Sequence, residues 1–264
     1  TGAVSSIQGD DIAQIPAPNA SHSMAGRLPG VSMRPNGGQP GADDPDIHIR
    51  GIVTTGANQP LIVVDGVRRD NMRQIDPSSI ESITILKDAA AVAPFGMGGA
   101  NGVILITTKK GRTGKPTISL GASYGFQNPT YLPDMLDAKD YMALQNEAYY
   151  NQNPDGTNPP YDPDFVQNYY NLHQEDPWRY PNSNFLELFN RNTPVQSHHL
   201  DLSGGTDLLT YRAGLGFFNQ QGLFDKVNYR RYNYNVNLES KVTQTTTVGM
   251  SLNGSIERTN DLDA

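Results

Sequence analysis

No cysteine occurs among the 264 residues. Disulfide frameworks, thiolate metal sites and cysteine nucleophiles are therefore excluded. Hydrophobic residues make up only 36% of the chain, below the roughly 45–50% of ordinary globular domains. No apolar run approaches the 18 or so residues that a membrane-spanning helix needs. The most apolar stretches, Leu61 to Val64 and Val103 to Ile106, are only strand-sized. There is no long basic run and the net charge is −7, which argues against nucleic acid as a partner. Thr1 to Asp10 has neither a basic start nor an apolar stretch. No secretory leader is read there, and the chain is expected to be either cytoplasmic or a mature or partial product.

What is plentiful is punctuation. Glycine (26) and proline (19) recur without a collagen-like period, so turns and loops must be many. Tyrosine (13) outnumbers phenylalanine (8), as suits half-buried or interfacial aromatics. Up to about residue 115, short apolar runs alternate with small helical patterns. Met24 to Leu28 reads as a helical turn, and Asp46 to Arg50 alternates like a strand. Pro60 to Val64 reads as a buried strand stopped by an Asp65-Gly66 turn. Asp76-Pro77 is an N-cap with a first-turn proline. Ser82 to Leu86 is a β-branched run, Asp88 caps Ala89 to Ala93, and Gly102 to Thr108 is the strongest buried strand. Residues 1–115 are thus expected to form a small α/β domain, ending in the basic, glycine-rich hinge Lys109 to Lys115.

From 116 to 264 the period becomes two. Five segments alternate, centred on Ile118 to Phe126, His198 to Leu202, Leu209 to Phe217, Tyr232 to Leu238 and Val248 to Ile256. Each has one apolar face and one face rich in Asn, Ser and Gly. A soluble sandwich would alternate in the same way, with its apolar faces turned inward. Strand length, the wet character of the polar face and aromatics near strand ends favour a membrane β-barrel instead. Connection lengths also alternate. A long segment at about 128–195 and a medium loop from Asn219 to Asn228 are interleaved with tight turns at Gly204 to Asp207 and Val242 to Gln244. Within the long segment, Asp137 caps a helical pattern over Ala138 to Tyr149, Asp162-Pro163 starts another through Leu172, and Asn184 to Asn190 suggests a third.

No catalytic constellation emerges. Gly96 to Gly102 (GMGGANG) is followed by a strand rather than a helix, so it reads as a glycine turn and not a phosphate loop. His198 and His199 point to opposite faces of a strand and cannot easily share a metal with Asp201. His48 is a lone strand histidine. No nucleophile, base and carboxylate stand in a hydrolytic order. No cofactor or metal is implied, and an enzyme is not expected.

Several runs carry a family resemblance: Gly26 to Val31 (GRLPGV), Gly38 to Gly41, Ile47 to Gly51 (IHIRG), Pro60 to Val67 (PLIVVDGV), Ser78 to Gly96 and Ala100 to Gly111. Together they resemble the plug of SusC/RagA-type TonB-dependent transporters. Gly204 to Gly222 and Arg230 to Val242 are similar to the first barrel strands of that family. The resemblance implies a partial membrane β-barrel, the first antiparallel strands, with an N-terminal α/β plug domain. It further implies an outer-membrane location in a Gram-negative bacterium, a SusD-like surface lipoprotein as lid, TonB with its inner-membrane motor as energy source, and an oligosaccharide or peptide as cargo. The lipid bilayer is then the surrounding medium, and the long segment becomes an extracellular loop. Five strands cannot close a barrel, and open edges in lipid are costly. The chain is therefore expected to be part of a longer protein, with the leader, a small extension domain and the TonB-contacting segment before Thr1. A surface module that binds glycan or peptide without transport is the alternative.

On this reading the residues of the plug signature are Arg50, Gly51, Asp65, Gly66, Lys87, Asp88, Asn101 and Gly102. Arg50 is expected to be buried and paired with Asp65, Glu81 or Glu239, because an unpaired buried arginine would cost several kcal/mol. A solvated strand-end charge is the other reading. In the long loop, Tyr161, Tyr169, Tyr170, Trp178 and Tyr180 could stack on sugar rings or meet the lid; equally, they could pack the loop's own helices.

Overall fold

The computed structural model describes residues 4–13, 19–51, 58–189 and 192–261. The chain divides into two compact units, one of residues 1–127, 192–222 and 226–264, the other of 128–191 and 223–225.

The first unit opens with strand β1 (Val4–Gln8) and the short helices α1 (Gly9–Ala13) and α2 (Ala20–Met24). Asn19 caps α2 by accepting the His22 N–H at 3.2 Å. The helical turn expected over 24–28 is in fact the exit from this helix, which begins earlier and ends at Met24. Gly26 follows at φ 71°, a left-handed step that glycine takes without strain and that stops a helix. β2 (Val31–Arg34) and β3 (Asp46–Ile49) form an antiparallel ribbon. β4 (Leu61–Val64), β5 (Val67–Arg69), β6 (Ile80–Leu86) and β7 (Val103–Thr108) join β1 in a sheet ordered β1-β6-β7-β4-β5. Only β4 and β7 run parallel within it. Helix α3 (Ala89–Val92) lies between β6 and β7. The branched side chains that marked these strands in the sequence form the core. Ile80, Ile83, Ile85, Ile104 and Ile106 are buried with Ile12, Met24 and Ile49. Each such residue contributes about 1.5–3 kcal/mol of burial.

The five alternating segments are five long strands: β8 (Gly114–Gln127), β9 (Thr193–Gly205), β10 (Leu209–Gln221), β11 (Asn228–Lys241) and β12 (Thr247–Asn260). They pair antiparallel in sequence order. Each has 13 or 14 residues, more than the roughly 9–11 that a tilted transmembrane strand needs. The register lines up one apolar row after another. Ile118, Leu202, Ala213, Val236 and Leu252 are successive cross-strand partners, as are Ala122, His198, Phe217, Tyr232 and Ile256.

These rows lie on the uncovered face, where Leu120 is 77% exposed. On the opposite face Arg212, Gln220, Arg231, Asn233 and Asn237 are buried, Arg212 to 3%. A soluble sandwich requires the reverse. A sheet with its apolar face outward and its polar face covered is the wall of a membrane β-barrel. The fold is therefore a partial barrel of antiparallel strands with an N-terminal α/β plug.

The second unit is a small helical body. α4 (Ala138–Gln152) and α5 (Pro163–Glu175) start where the sequence placed their caps, Asp137 accepting from the Asp140 N–H and Asp162 from Asp164 and Phe165. Their joint core is Met142, Val166 and Tyr169, packed by Phe165, Tyr161 and Tyr180. The third helical segment is a single 3-10 turn, Phe185–Leu188. Asn190, the end expected for it, lies outside the described residues.

Candidate functional site

Two arginines on the inner face of the strand sheet hold the α/β domain by its backbone. Arg212 on β10 donates two hydrogen bonds of 2.6 Å to the carboxylate of Asp201 on β9. Its third donor reaches the carbonyl of Lys109 at 2.9 Å, just past the end of β7. Asn237 on β11 points at the same carbonyl from 3.4 Å. Arg231 on β11 donates to Asn233 at 2.8 Å and to the carbonyl of Arg73 at 2.5 Å, with its guanidinium 5.5 Å from the ring of Phe218. Asn233 in turn donates to the carbonyl of Gln74 at 2.7 Å. Both guanidiniums are almost fully buried, so their charges must be met by fixed acceptors.

Glycines let the two layers approach. A Cβ at Gly216 on β10 would sit 2.1 Å from the Asp76 carboxylate, and one at Gly41 would meet the Tyr229 ring at 2.5 Å. Asp76 is the cap of the 3-10 turn Pro77–Ser79, accepting from the Ser78 N–H at 2.9 Å.

The expected signature residues fall at two ends of the α/β domain. Arg50, Lys87, Asp88 and Gly102 gather at one end. Arg50 has φ 61° and its N–H donates to Gly30 at 3.0 Å. Its guanidinium meets Asp88 at 2.5 Å, and its side chain is 52% exposed. The expectation of a buried Arg50 paired with Asp65, Glu81 or Glu239 is therefore wrong. The left-handed turn at Arg50 and Gly51 (φ 87°) carries the side chain out of the core, toward the start of α3. Glu81 and Glu239 instead face Arg112 and Lys110, each at 3.8 Å. Lys87 donates to Ser5 at 2.7 Å and to the Pro29 carbonyl. Asn101 donates to the Gln59 carbonyl at 3.5 Å, and Gly102, at φ 90°, leaves a would-be Cβ only 2.7 Å from Ile49. At the other end, Asp65 and Gly66 form the β4–β5 turn at φ 47° and 85°. The Asp65 carboxylate accepts the Thr108 N–H at 2.9 Å and its hydroxyl at 2.6 Å, pinning the hairpin to β7.

The loop aromatics are divided between two roles. Tyr169 is 6% exposed and donates to the Pro181 carbonyl at 2.8 Å; Tyr161 and Tyr180 pack beside it. Tyr170 is on the surface, its hydroxyl bonded to Asp137 and its ring 5.0 Å from the Lys139 ammonium. The Asp140 N–H first, and the Tyr170 hydroxyl after it, hold the Asp137 carboxyl below its ordinary value. Trp178 is 95% exposed. His198 and His199 part as expected, His198 stacking on Phe217 at 5.9 Å, while Asp201 is occupied by Arg212. Among the described residues no group of three metal-ligating side chains converges.

The TonB-dependent receptor plug domain model matches residues 1–103. Over 90% of its length the chain is 32% identical to the TonB-dependent receptor SusC of Bacteroides thetaiotaomicron, of which it covers 23%. It superposes on the RagAB peptide importer in its closed-closed state with a TM-score of 0.77 and 26% identity, over 99% of this chain and 31% of that one. Over 41% of its length it is also 34% identical to the ferrienterobactin receptor of Escherichia coli, of which it covers 16%. The chain belongs to the TonB-dependent receptors. Within them it is of the SusC/RagA type, and it holds the plug domain and the first strands of the barrel.

Arg212 and Arg231, the residues that seat the plug on the wall, were not singled out by the sequence. A signal for them was present. Each is a charge at the inward parity of its strand, with Gly214 and Gly216 as neighbours on that face of β10 and Asn233, Asn235 and Asn237 on that face of β11, small or polar side chains beside which another layer can approach and a charge needs a partner.

Proposed function

We propose that the whole protein imports a large nutrient, an oligosaccharide first and a peptide second, across the outer membrane of a Gram-negative bacterium. A SusD-like surface lipoprotein closes over the cargo, and TonB with its inner-membrane motor supplies the work of opening. The observation that carries this reading is the inverted sheet: apolar rows outward and a plug seated on the polar face by two buried arginines. A wall of that polarity is stable only in lipid, and a plug held by few, specific hydrogen bonds can be released without dismantling the wall. No bond of the cargo is made or broken in this scheme. The similarity to SusC and the exposed Trp178, an aromatic plane for sugar C–H groups, support the oligosaccharide.

The test is uptake of labelled oligosaccharides, and separately peptides, by cells carrying the full-length gene, with and without TonB. Uptake that requires both the gene and TonB supports import. Surface binding without uptake in either background would favour the alternative, a glycan- or peptide-binding module. The loop at 128–195 is assigned to the cell exterior. A cysteine replacing Thr157 in the full-length protein should then react with an impermeant reagent on intact cells; reaction only after the outer membrane is broken reverses the orientation.

A further inference from the structure

Arg73 faces two ways. Its side chain donates to Asp44 at 3.0 Å and to the Gly41 carbonyl at 2.5 Å. Its own carbonyl is the acceptor for the buried Arg231 of the wall. Asp44 in turn accepts from the Asn19 amide at 2.7 Å and from the Ser21 hydroxyl at 3.4 Å. Asn19 is the cap of α2, and both Asn19 and Ser21 are buried. One unbroken set of hydrogen bonds therefore runs from the cap of α2 through Asp44 and Arg73 to strand β11. The other buried arginine, Arg212, joins the wall elsewhere, to Asp201 and the Lys109 carbonyl. Gly41, whose carbonyl Arg73 holds, is also the residue whose missing Cβ lets Tyr229 of β11 pack closely.

We infer that Arg73 is a positioning residue that couples the folding of the α2 cap to the seating of the plug on β11, so that neither is lost without weakening the other. The physical ground is geometric. A guanidinium fixed by a carboxylate and a carbonyl fixes the peptide that bears it, and only a fixed carbonyl is a good partner for a buried, immobile arginine. When Arg231 lets go, the 71–75 segment is freed, Asp44 loses its cationic partner, and Asn19 and Ser21 lose an anchored acceptor. The loss also runs in reverse, because a coupling free energy is reciprocal. For the import scheme proposed above, on which only its use and not its test depends, this means that α2 and the contact with β11 open together while the Arg212 contact with Lys109 stays closed.

The test is amide hydrogen exchange on the full-length receptor in detergent micelles, which needs neither cargo nor TonB. Arg231→Met should speed exchange at His22 and Ala25 about tenfold, the change that about 1.4 kcal/mol of lost coupling produces. Arg212→Met should leave those amides at the wild-type rate. In the reverse direction, Asp44→Asn should speed exchange across residues 72–76. If Arg231→Met leaves α2 unchanged, or if both arginine variants speed it equally, the coupling does not run through Arg73 and the inference is overturned. If Arg231→Met does not insert, Asp44→Asn decides alone: unchanged exchange at 72–76 overturns it. Absence of TonB-dependent uptake by the wild-type protein, with the exchange coupling intact, would count against the import reading and not against this one.

Discussion

Arg212 and Asp201 lie on neighbouring strands of the wall and share two 2.6 Å hydrogen bonds, with the arginine almost fully buried between wall and plug. The pair does not merely neutralise itself, because the remaining donor of Arg212 holds the Lys109 carbonyl. Removing the arginine alone leaves the Asp201 carboxylate, only 19% exposed, without its cation. Arg212→Met in the full-length protein is expected to destabilise the seated plug by about 3–5 kcal/mol. The double variant Arg212→Met with Asp201→Leu should recover part of that loss, since a well-packed apolar pair avoids the desolvation cost. Chemical unfolding followed by a probe in the plug measures both. A single variant as stable as wild type would show that water reaches the pair.

Arg50 should behave in the opposite way. Its contact with Asp88 is close but half-exposed, and exposed pairs contribute about 1 kcal/mol or less. Arg50→Ala is expected to change plug stability by no more than that, with the difference shrinking in high salt. Arg50→Gly should be at least as stable as Arg50→Ala, because Arg50 has φ 61° and only glycine takes that conformation freely. The same unfolding assay decides. A loss above 3 kcal/mol, the lower end of the buried-pair range, for Arg50→Ala would mean that the side chain is enclosed in the complete barrel.

Much of this arrangement was legible in the sequence. The five wall strands could be read because alternation is a local signal, with the same parity repeated from Leu209 to Phe217 as from Tyr232 to Leu238. The caps Asp76, Asp137 and Asp162 were equally local. What failed was the choice of the buried charge. Arg50 follows a strand of apparent core character, while Arg212 and Arg231 look like ordinary strand charges. Which of them is enclosed depends on which sheet face the plug covers, and that is set by residues more than a hundred positions away. The start of α2 was missed for a similar reason, since Asn19 acts as a cap for a helix whose small residues carry little periodicity.

The outward rows give a sharper test of the membrane reading. Leu215 and Val236 lie on the apolar face, beside Gly216 and Asn235 on the inner one. Leu215→Arg or Val236→Arg should cost about 2–4 kcal/mol of barrel stability if the site lies near mid-bilayer. Folding into lipid vesicles, followed by the shift in electrophoretic mobility of the folded barrel, reads this out. Gly216→Val should instead leave insertion intact and displace Asp76, whose carboxylate stands 2.1 Å from the new Cβ. The loss of that cap is worth about 1 kcal/mol in the plug. Normal insertion of both arginine variants would turn the sheet around.

The last expectation concerns pH. His22, in α2, hydrogen-bonds through its ring to the Asp43 carbonyl at 3.0 Å and lies 3.3 Å from the Asp43 carboxylate, with Asp44 also nearby. The hydrogen bond to Asp43 favours the imidazolium, the Asp43 charge adds to it, and burial opposes it only in part. The folded pKa is therefore raised above the ordinary value of 6.5. A raised folded value means that the stabilisation is fully present below the unfolded pKa and is lost as pH rises through the folded one. Exchange protection of the α2 amides should thus hold up to about pH 6.5, the ordinary value, and fall as pH rises above it through the raised folded value, once the intrinsic dependence of exchange on pH is divided out. His22→Asn should remove this dependence while leaving the Asn19 cap in place. If wild type and variant give parallel curves, His22 does not gain a proton partner on folding, and the contact with Asp43 is that of a neutral ring.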